Sequence, residues 1–281
     1  MSPATIVISP WNLLKSRRHV NNSHTPSPSG TQNSNAAALQ SEKPGDARAL
    51  QPVAPAWHTL LLLIVMAGYG YLSFTRAAHA RAIHAVYTYR NYFPTMIIEW
   101  ILFAYVVFGA RRKGIGIKEL LGPRWSRGKA IFTDIGIAAI FWIVSLFALG
   151  TIAQLLHIPS ALSNVKFMMP QTPLDMVVWV LLSFTAGICE EAIFRAYLQR
   201  QFAAWTRSLP IGVVLSAAVF GAAHSYQGGR QPILLGFYGL MFGILAAVRK
   251  TTKPGMMAHA FQDSASGVLF NILAKHNLIH P

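Results

Sequence analysis

Seven apolar stretches, at residues 57–75, 92–110, 130–156, 174–203, 208–226, 231–248 and 254–274, dominate the chain from Trp57 onward. Each is near the ~20 residues that a helix needs, at ~1.5 Å per residue, to cross ~30 Å of hydrocarbon. A backbone surrounded by lipid has no water to bond to, so each stretch is expected to satisfy its own N–H and C=O groups as a helix. Pro94, Pro123, Pro159, Pro170, Pro173, Pro210, Pro232 and Pro254 stand at or near the breaks, where helices end. The expected fold class is all-α: a polytopic transmembrane helical bundle of about seven helices over residues 57–281, with its motif-bearing core at about 174–274.

Charge separates the partners that such a chain can have. Only 12% of the 281 residues are charged, where a soluble domain carries about 25%. Those present are lopsided, 24 Lys+Arg against 9 Asp+Glu, a net charge of +15. The basic residues lie between apolar stretches and not on an aromatic-interleaved nucleic-acid module, so the expected partner is the lipid bilayer and no nucleic acid. With the amino terminus inside, 18 basic residues fall toward the cytoplasmic side and 6 toward the outer side, as the positive-inside rule requires. The largest contribution comes from Arg111, Arg112, Lys113, Lys118, Arg124, Arg127 and Lys129. The one cysteine, Cys189, excludes an intrachain disulfide and a zinc site of several thiolates.

Residues 1–56 read as a disordered polar tail, since the segment Asn21–Ala38 is mostly Asn, Ser, Thr, Pro, Gly and Ala. The apolar run Ala4–Leu14 has its basic residues after it, the reverse of a signal peptide, and reads instead as an interfacial or partner-binding segment.

Four acids, Glu99, Glu190, Glu191 and Asp263, and two histidines, His224 and His259, fall inside apolar spans. An ionisable group at a helix centre costs at least ~2.5 kcal/mol on insertion scales, so these residues are expected to face an internal cavity and to serve a purpose. Glu191 and Arg195 stand at i, i+4 with the acid first, the favourable order for an intrahelical pair. That leaves Glu190 free. Phe220 shares a face with His224, and His259 with Asp263, each again at i, i+4. Glu99 is expected to face the cavity or join a polar network without a catalytic role. By helix rise alone, Glu190 and His224 lie ~16–21 Å from the inner helix ends and His259 only ~8 Å. For the three to meet, the last helix must tilt, start deeper or border a cavity open to the cytoplasm.

The order of these clusters, Glu190-Glu191 to Arg195, Phe220 to His224, and His259 to Asp263, resembles the EExxxR, FxxxH and HxxxN/D motifs of CPBP intramembrane proteases, the Abi or CAAX-protease-like family. The resemblance spans about residues 90–274. It implies a multi-helix membrane endopeptidase, here of a bacterial inner membrane, acting on a membrane protein or peptide. It also implies that Glu190 is the catalytic carboxylate, with His224 beside it to activate water. His259 with Asp263 would stabilise the oxyanion, and Glu191 with Arg195 would fix the geometry of the fourth helix. Eukaryotic members have Asn at the last motif position; Asp263 follows other bacterial members.

The chemistry also follows from the residue types. A Glu in a low-dielectric cavity can take a proton from water and return it to a leaving amine, and an imidazole N–H can stabilise an oxyanion. An ionised Asp263 accepts but does not donate, which suits it to holding the His259 ring. The same residues, Glu190, His224, His259 and Asp263, also make a plausible zinc site with an open position for water. No HExxH is present, and the metal-free glutamic mechanism with no cofactor is favoured. No GxSG, GxGD or P-loop motif occurs either. Two other classes stay open. One is a non-catalytic scaffold or bacteriocin-immunity-type protein. The other is a proton-coupled transporter, which would be expected to show internal repeats that this chain lacks.

Overall fold

The computed structural model describes residues 51–159 and 162–276, and among these every regular element is helical. The expected tail before Gln51 and the run Ala4–Leu14 lie outside the described residues. The long helices are α1 (Ala56–Ala82), α2 (Tyr89–Arg111), and, after the short α3 (Ile117–Leu121), α4 (Gly128–Leu155). After the short α5 (Leu162–Val165) come α6 (Pro173–Thr206), α7 (Leu209–Ala223), α8 (Gln231–Arg249) and α9 (Lys253–Lys275). The seven apolar stretches are thus α1, α2, α4, α6, α7, α8 and α9. Five of them, α1, α2, α4, α6 and α8, are long and apolar enough to cross a membrane.

Local chemistry sets the helix starts. Thr172 and Asp175 form a capping box around Pro173: the Asp175 N–H donates to Thr172 Oγ1 at 3.1 Å and the Thr172 N–H donates to Asp175 Oδ2 at 3.1 Å. Asp175 also accepts from the Tyr89 N–H at 2.6 Å, tying the start of α6 to that of α2. Three boundaries differ from expectation. Pro94 lies inside α2 because that helix begins earlier, at Tyr89. α1 runs on to Ala82 because Ala77 and Ala80 pack against Phe167 and extend its buried face. α7 stops at Ala223 with His224 as its C-cap, and the chain turns back through a short 3-10 turn, Ser225–Gln227, into Gly228 and Gly229 at φ 76° and 55°.

The bundle is inverted relative to a soluble protein. On α4, Phe132 and Phe147 are 75% exposed while Asp134, Ala138 and Ser145 are buried. Apolar residues outside and small or polar ones inside are what a hydrocarbon solvent selects, and with five spanning-length helices this makes the chain an integral membrane protein. Its central element is α6, which has the largest buried share of the spanning helices and packs against α2, α7, α8 and α9.

One set of contacts holds the end of α6 and a second seats the start of α9. Val53 and Ala54, within the stretch expected as tail, are buried, and both backbone N–H groups donate to Gln201 Oε1 at 2.9 and 3.1 Å. Gln201 Nε2 donates back to the Ala54 carbonyl at 3.1 Å, and His58 and Thr59 meet the Tyr197 hydroxyl at 2.7 and 2.9 Å. The α2–α4 connection clasps the α8–α9 link: the Thr252 N–H donates to the Leu121 carbonyl at 3.2 Å, Lys253 donates to the Pro123 carbonyl, and Arg249 pairs with Asp134 at 3.1 Å.

Gln201→Leu removes the acceptor of two buried N–H groups and is expected to cost about 1–3 kcal/mol. Thermal unfolding in detergent should therefore shift down by several degrees; an unchanged Tm would mean that the Val53–Ala54 strap adds no stability.

Candidate active site

The candidate site is built where α6 changes its winding. Glu190 is the last residue of regular α-helix, and Glu191–Leu198 form a π-helical segment whose eight side chains are all buried. π segments are rare and recur at functional sites. Within it Glu191 and Arg195 are ion-paired at 2.9 Å with both side chains almost fully buried. Arg195 cannot lose its charge, so its surroundings must accommodate it. Its guanidinium lies 4.3 Å from the Phe220 ring centre on α7 and 5.0 Å from that of Phe242 on α8, and Nη2 donates to the Gly239 carbonyl at 3.3 Å.

Glu191 does more than neutralise Arg195. Its Oε1 also lies 3.2 Å from His259 Nδ1, so α9 joins the same buried cluster. The other ring nitrogen, His259 Nε2, faces Asp263 Oδ2 at 3.5 Å and Glu190 Oε2 at 3.8 Å. Phe242 lies across the ring at a centroid distance of 5.4 Å, clamping its orientation. His224 approaches from the end of α7. Its Nδ1–H donates to the Phe220 carbonyl at 2.8 Å, and this leaves Nε2 turned to Glu190 Oε2 at 3.9 Å. Glu190 Oε2 is buried and has no hydrogen-bond partner. At 3.8 and 3.9 Å from two Nε2 atoms it is too far for direct bonds, and a water ~2.8 Å from each group would bridge the gap.

All six candidate residues, Glu190, Glu191, Arg195, His224, His259 and Asp263, therefore lie in one cluster on α6, α7 and α9. His259 reaches the others because α9 starts beside the middle of α6, not level with its end. Gly187 and Gly255 make this close approach: a Cβ on Gly187 would sit 2.7 Å from the Met256 carbonyl oxygen, and one on Gly255 3.0 Å from Glu191 Oε2.

Glu99 belongs to the same region. On α2 it shares a face with Tyr92, Val106 and Ala110, which are buried, and Glu99 itself is half-buried. Its Oε2 is buried without a partner, and the carboxylate lies within electrostatic reach of Glu190, His259 and Asp263. Sequence reasoning missed the aromatic supports. Phe242 and Tyr238 on α8 look like ordinary apolar-helix residues. Trp179 on α6 donates to the Asp263 carbonyl at 2.7 Å, and Tyr226 sits 5.6 Å from the His224 ring, with no periodic signal to mark either.

The four side chains considered as zinc ligands, Glu190, His224, His259 and Asp263, approach one another at 3.5 to 3.9 Å. Both nitrogens of His259 already face carboxylates, at 3.2 and 3.5 Å.

Arg195→Leu leaves Glu191 charged and buried beside a single imidazole, which should destabilise the protein by about 3–5 kcal/mol, while Glu191→Leu/Arg195→Leu should recover much of that loss. Thermal unfolding of the three forms in detergent tests this, and equal melting of the single and double variants would refute it.

A family model described as type II CAAX prenyl endopeptidase Rce1-like matches residues 171–265. The match runs from just before α6 into α9 and so covers every one of the six clustered residues. No curated protein and no solved structure matches the chain. Residues 171–265 are thus similar to the Rce1-like family, in agreement with the CPBP resemblance of the three motifs they carry.

Proposed function

We propose that this protein is an intramembrane endopeptidase that hydrolyses a peptide bond of a membrane-associated protein or peptide with water activated by Glu190 and His224. At family level the Rce1-like match supports an enzyme of the CAAX-protease type. The observation that carries the finer reading is the unpartnered Glu190 Oε2, 3.9 Å from His224 Nε2 and 3.8 Å from His259 Nε2. A carboxylate with no partner of its own, opposite two imidazoles, is a base waiting for a small polar molecule.

The steps follow from that geometry. Water held between Glu190 and His224 gives a proton to Glu190 as its oxygen bonds to the scissile carbonyl carbon. The carbonyl π electrons move onto oxygen, and this oxyanion is met by His259, acting as an imidazolium with Nδ1–H given to Glu191 and Nε2–H directed into the space between Asp263 and Glu190 where the new charge forms. Collapse of the tetrahedral intermediate breaks the C–N bond, and Glu190 returns its proton to the leaving nitrogen. Asp263 and Glu191 keep the ring charged and aligned. Arg195 holds Glu191. The mechanism as drawn routes no step through a metal.

We propose a bacterial inner membrane, as the family resemblance implies, with the amino terminus in the cytoplasm on the strength of the basic residues Arg111 to Lys129 after α2 and Arg249 to Lys253 after α8. Reporter fusions to the connections after α2 and α8 should report the cytoplasmic side, and labelling from outside would reverse the assignment.

Purified protein in detergent, offered a peptide library that includes prenylated CAAX peptides, should cleave. Glu190→Gln and His224→Ala should each lower kcat by about 10²–10⁴-fold with the helical content intact. Undiminished cleavage by Glu190→Gln would remove Glu190 as the base. Loss of wild-type cleavage in chelator, restored by zinc, would replace the metal-free mechanism. A cellular phenotype that survives both substitutions would favour a non-catalytic scaffold.

A further inference from the structure

The site as described has a deficit of neutral donors. Asp263 faces His259 Nε2 as a carboxylate, and an ionised carboxylate can only accept. Across from it on α8 is Tyr238, 6% exposed, whose hydroxyl is buried and has no hydrogen-bond partner. A buried phenol O–H is normally bonded, so an orphan one beside a reaction centre marks a place for a group that comes and goes.

Register fixes the facing pair. α8 and α9 are joined by the short link Lys250–Thr252 and run antiparallel. Phe242 lies on His259 at 5.4 Å, and one turn further along both helices puts Tyr238 opposite Asp263. The Tyr238 hydroxyl is within electrostatic reach of Asp263, Glu191 and Arg195. Its ring is fixed between Phe242, at 4.5 Å, and Phe141 of α4, at 6.4 Å, while the next residue's carbonyl accepts from Arg195. Ring and backbone are thus both anchored by groups that also support the site.

The geometry points to Tyr238 as a further catalytic residue, whose O–H donates a hydrogen bond to the substrate's carbonyl oxygen as it becomes the oxyanion. This rests on the endopeptidase reading above and supplies the donor that Asp263 cannot. Tyr238 stays protonated throughout; it moves no proton and only bonds to the charge that forms on oxygen when water adds.

Tyr238→Phe removes the hydroxyl and keeps both ring contacts. With a cleaved peptide it should lower kcat by about 10²–10³-fold while leaving KM within about twofold, the split expected of an interaction made only in the transition state. A phosphonamidate peptide, whose tetrahedral anion mimics the intermediate, should lose affinity in parallel with kcat. Asp263→Asn placed in the Tyr238→Phe background restores a neutral donor and should recover at least about tenfold in kcat. A Tyr238→Phe kcat within about threefold of wild type overturns the inference. So does a loss that appears mainly in KM, or a lowered melting temperature with no recovery by the amide. Wild-type cleavage beside an equally active Tyr238→Phe refutes this role alone, whereas a wild-type protein that cleaves nothing refutes the endopeptidase reading and this role with it.

Discussion

The buried ion pair of Glu191 and Arg195 is the interaction on which the arrangement depends. Two full charges inside a membrane bundle lose hydration that their mutual attraction alone does not replace. The deficit is met by groups from three neighbouring helices, α7, α8 and α9: the faces of Phe220 and Phe242, the Gly239 carbonyl and the Nδ1 of His259. Each is needed to make the pair tolerable, and so each of α7, α8 and α9 is drawn to one point on α6. The catalytic geometry proposed for Glu190, His224 and His259 is assembled around that point.

Lipid as solvent explains why the pair must be so thoroughly enclosed. Hydrocarbon outside the bundle gives helices no hydrophobic reason to associate, so contact depends on close packing and on polar groups turned inward. Gly187 and Gly255 let α9 lie against α6 closely enough for His259 to reach Glu191. The early start of α9 would leave Thr252 and Lys253 without partners beside apolar neighbours. The Leu121 and Pro123 carbonyls of the α2–α4 connection accept from them instead. A segment rich in basic residues, read from the sequence as a topology signal, therefore also seats the helix that carries His259.

Electrostatics within the cluster divide its carboxylates by role. Glu191 is satisfied on one oxygen by Arg195 and His259 and is fixed in place. Asp263 is the most open of the carboxylates ion-paired there, its side chain 36% exposed, and faces the same imidazole from the other side. Glu190, Glu99 and the second oxygen of Glu191 each present a buried acceptor with no hydrogen-bond partner, and of these only Glu190 faces the Nε2 atoms of both His224 and His259. Unpaired acceptors in a low-dielectric space are costly unless a proton, water or substrate group meets them, and that cost is what supports the reading of this part of the bundle as the proposed reaction site.

Much of this was legible in one dimension. Hydropathy marked all seven helices, because spanning hydrocarbon imposes a length and an apolar composition on each segment separately. Spacing at i, i+4 marked Glu191 with Arg195, Phe220 with His224, and His259 with Asp263, because helical pitch alone puts those pairs on a face. What the sequence could not supply was anything set between helices. Val53 and Ala54 look like the end of a polar tail until Gln201, almost 150 positions later, meets their N–H groups. The π winding at Glu191–Leu198, the depth at which α9 begins and the placing of Tyr238 opposite Asp263 likewise carry no local signature. Segment identity and helix faces follow from local geometry and the solvent, and so the sequence determined them. Which faces meet, and at what depth, was decided only when small residues, buried charges and carbonyl acceptors from distant parts of the chain were packed together.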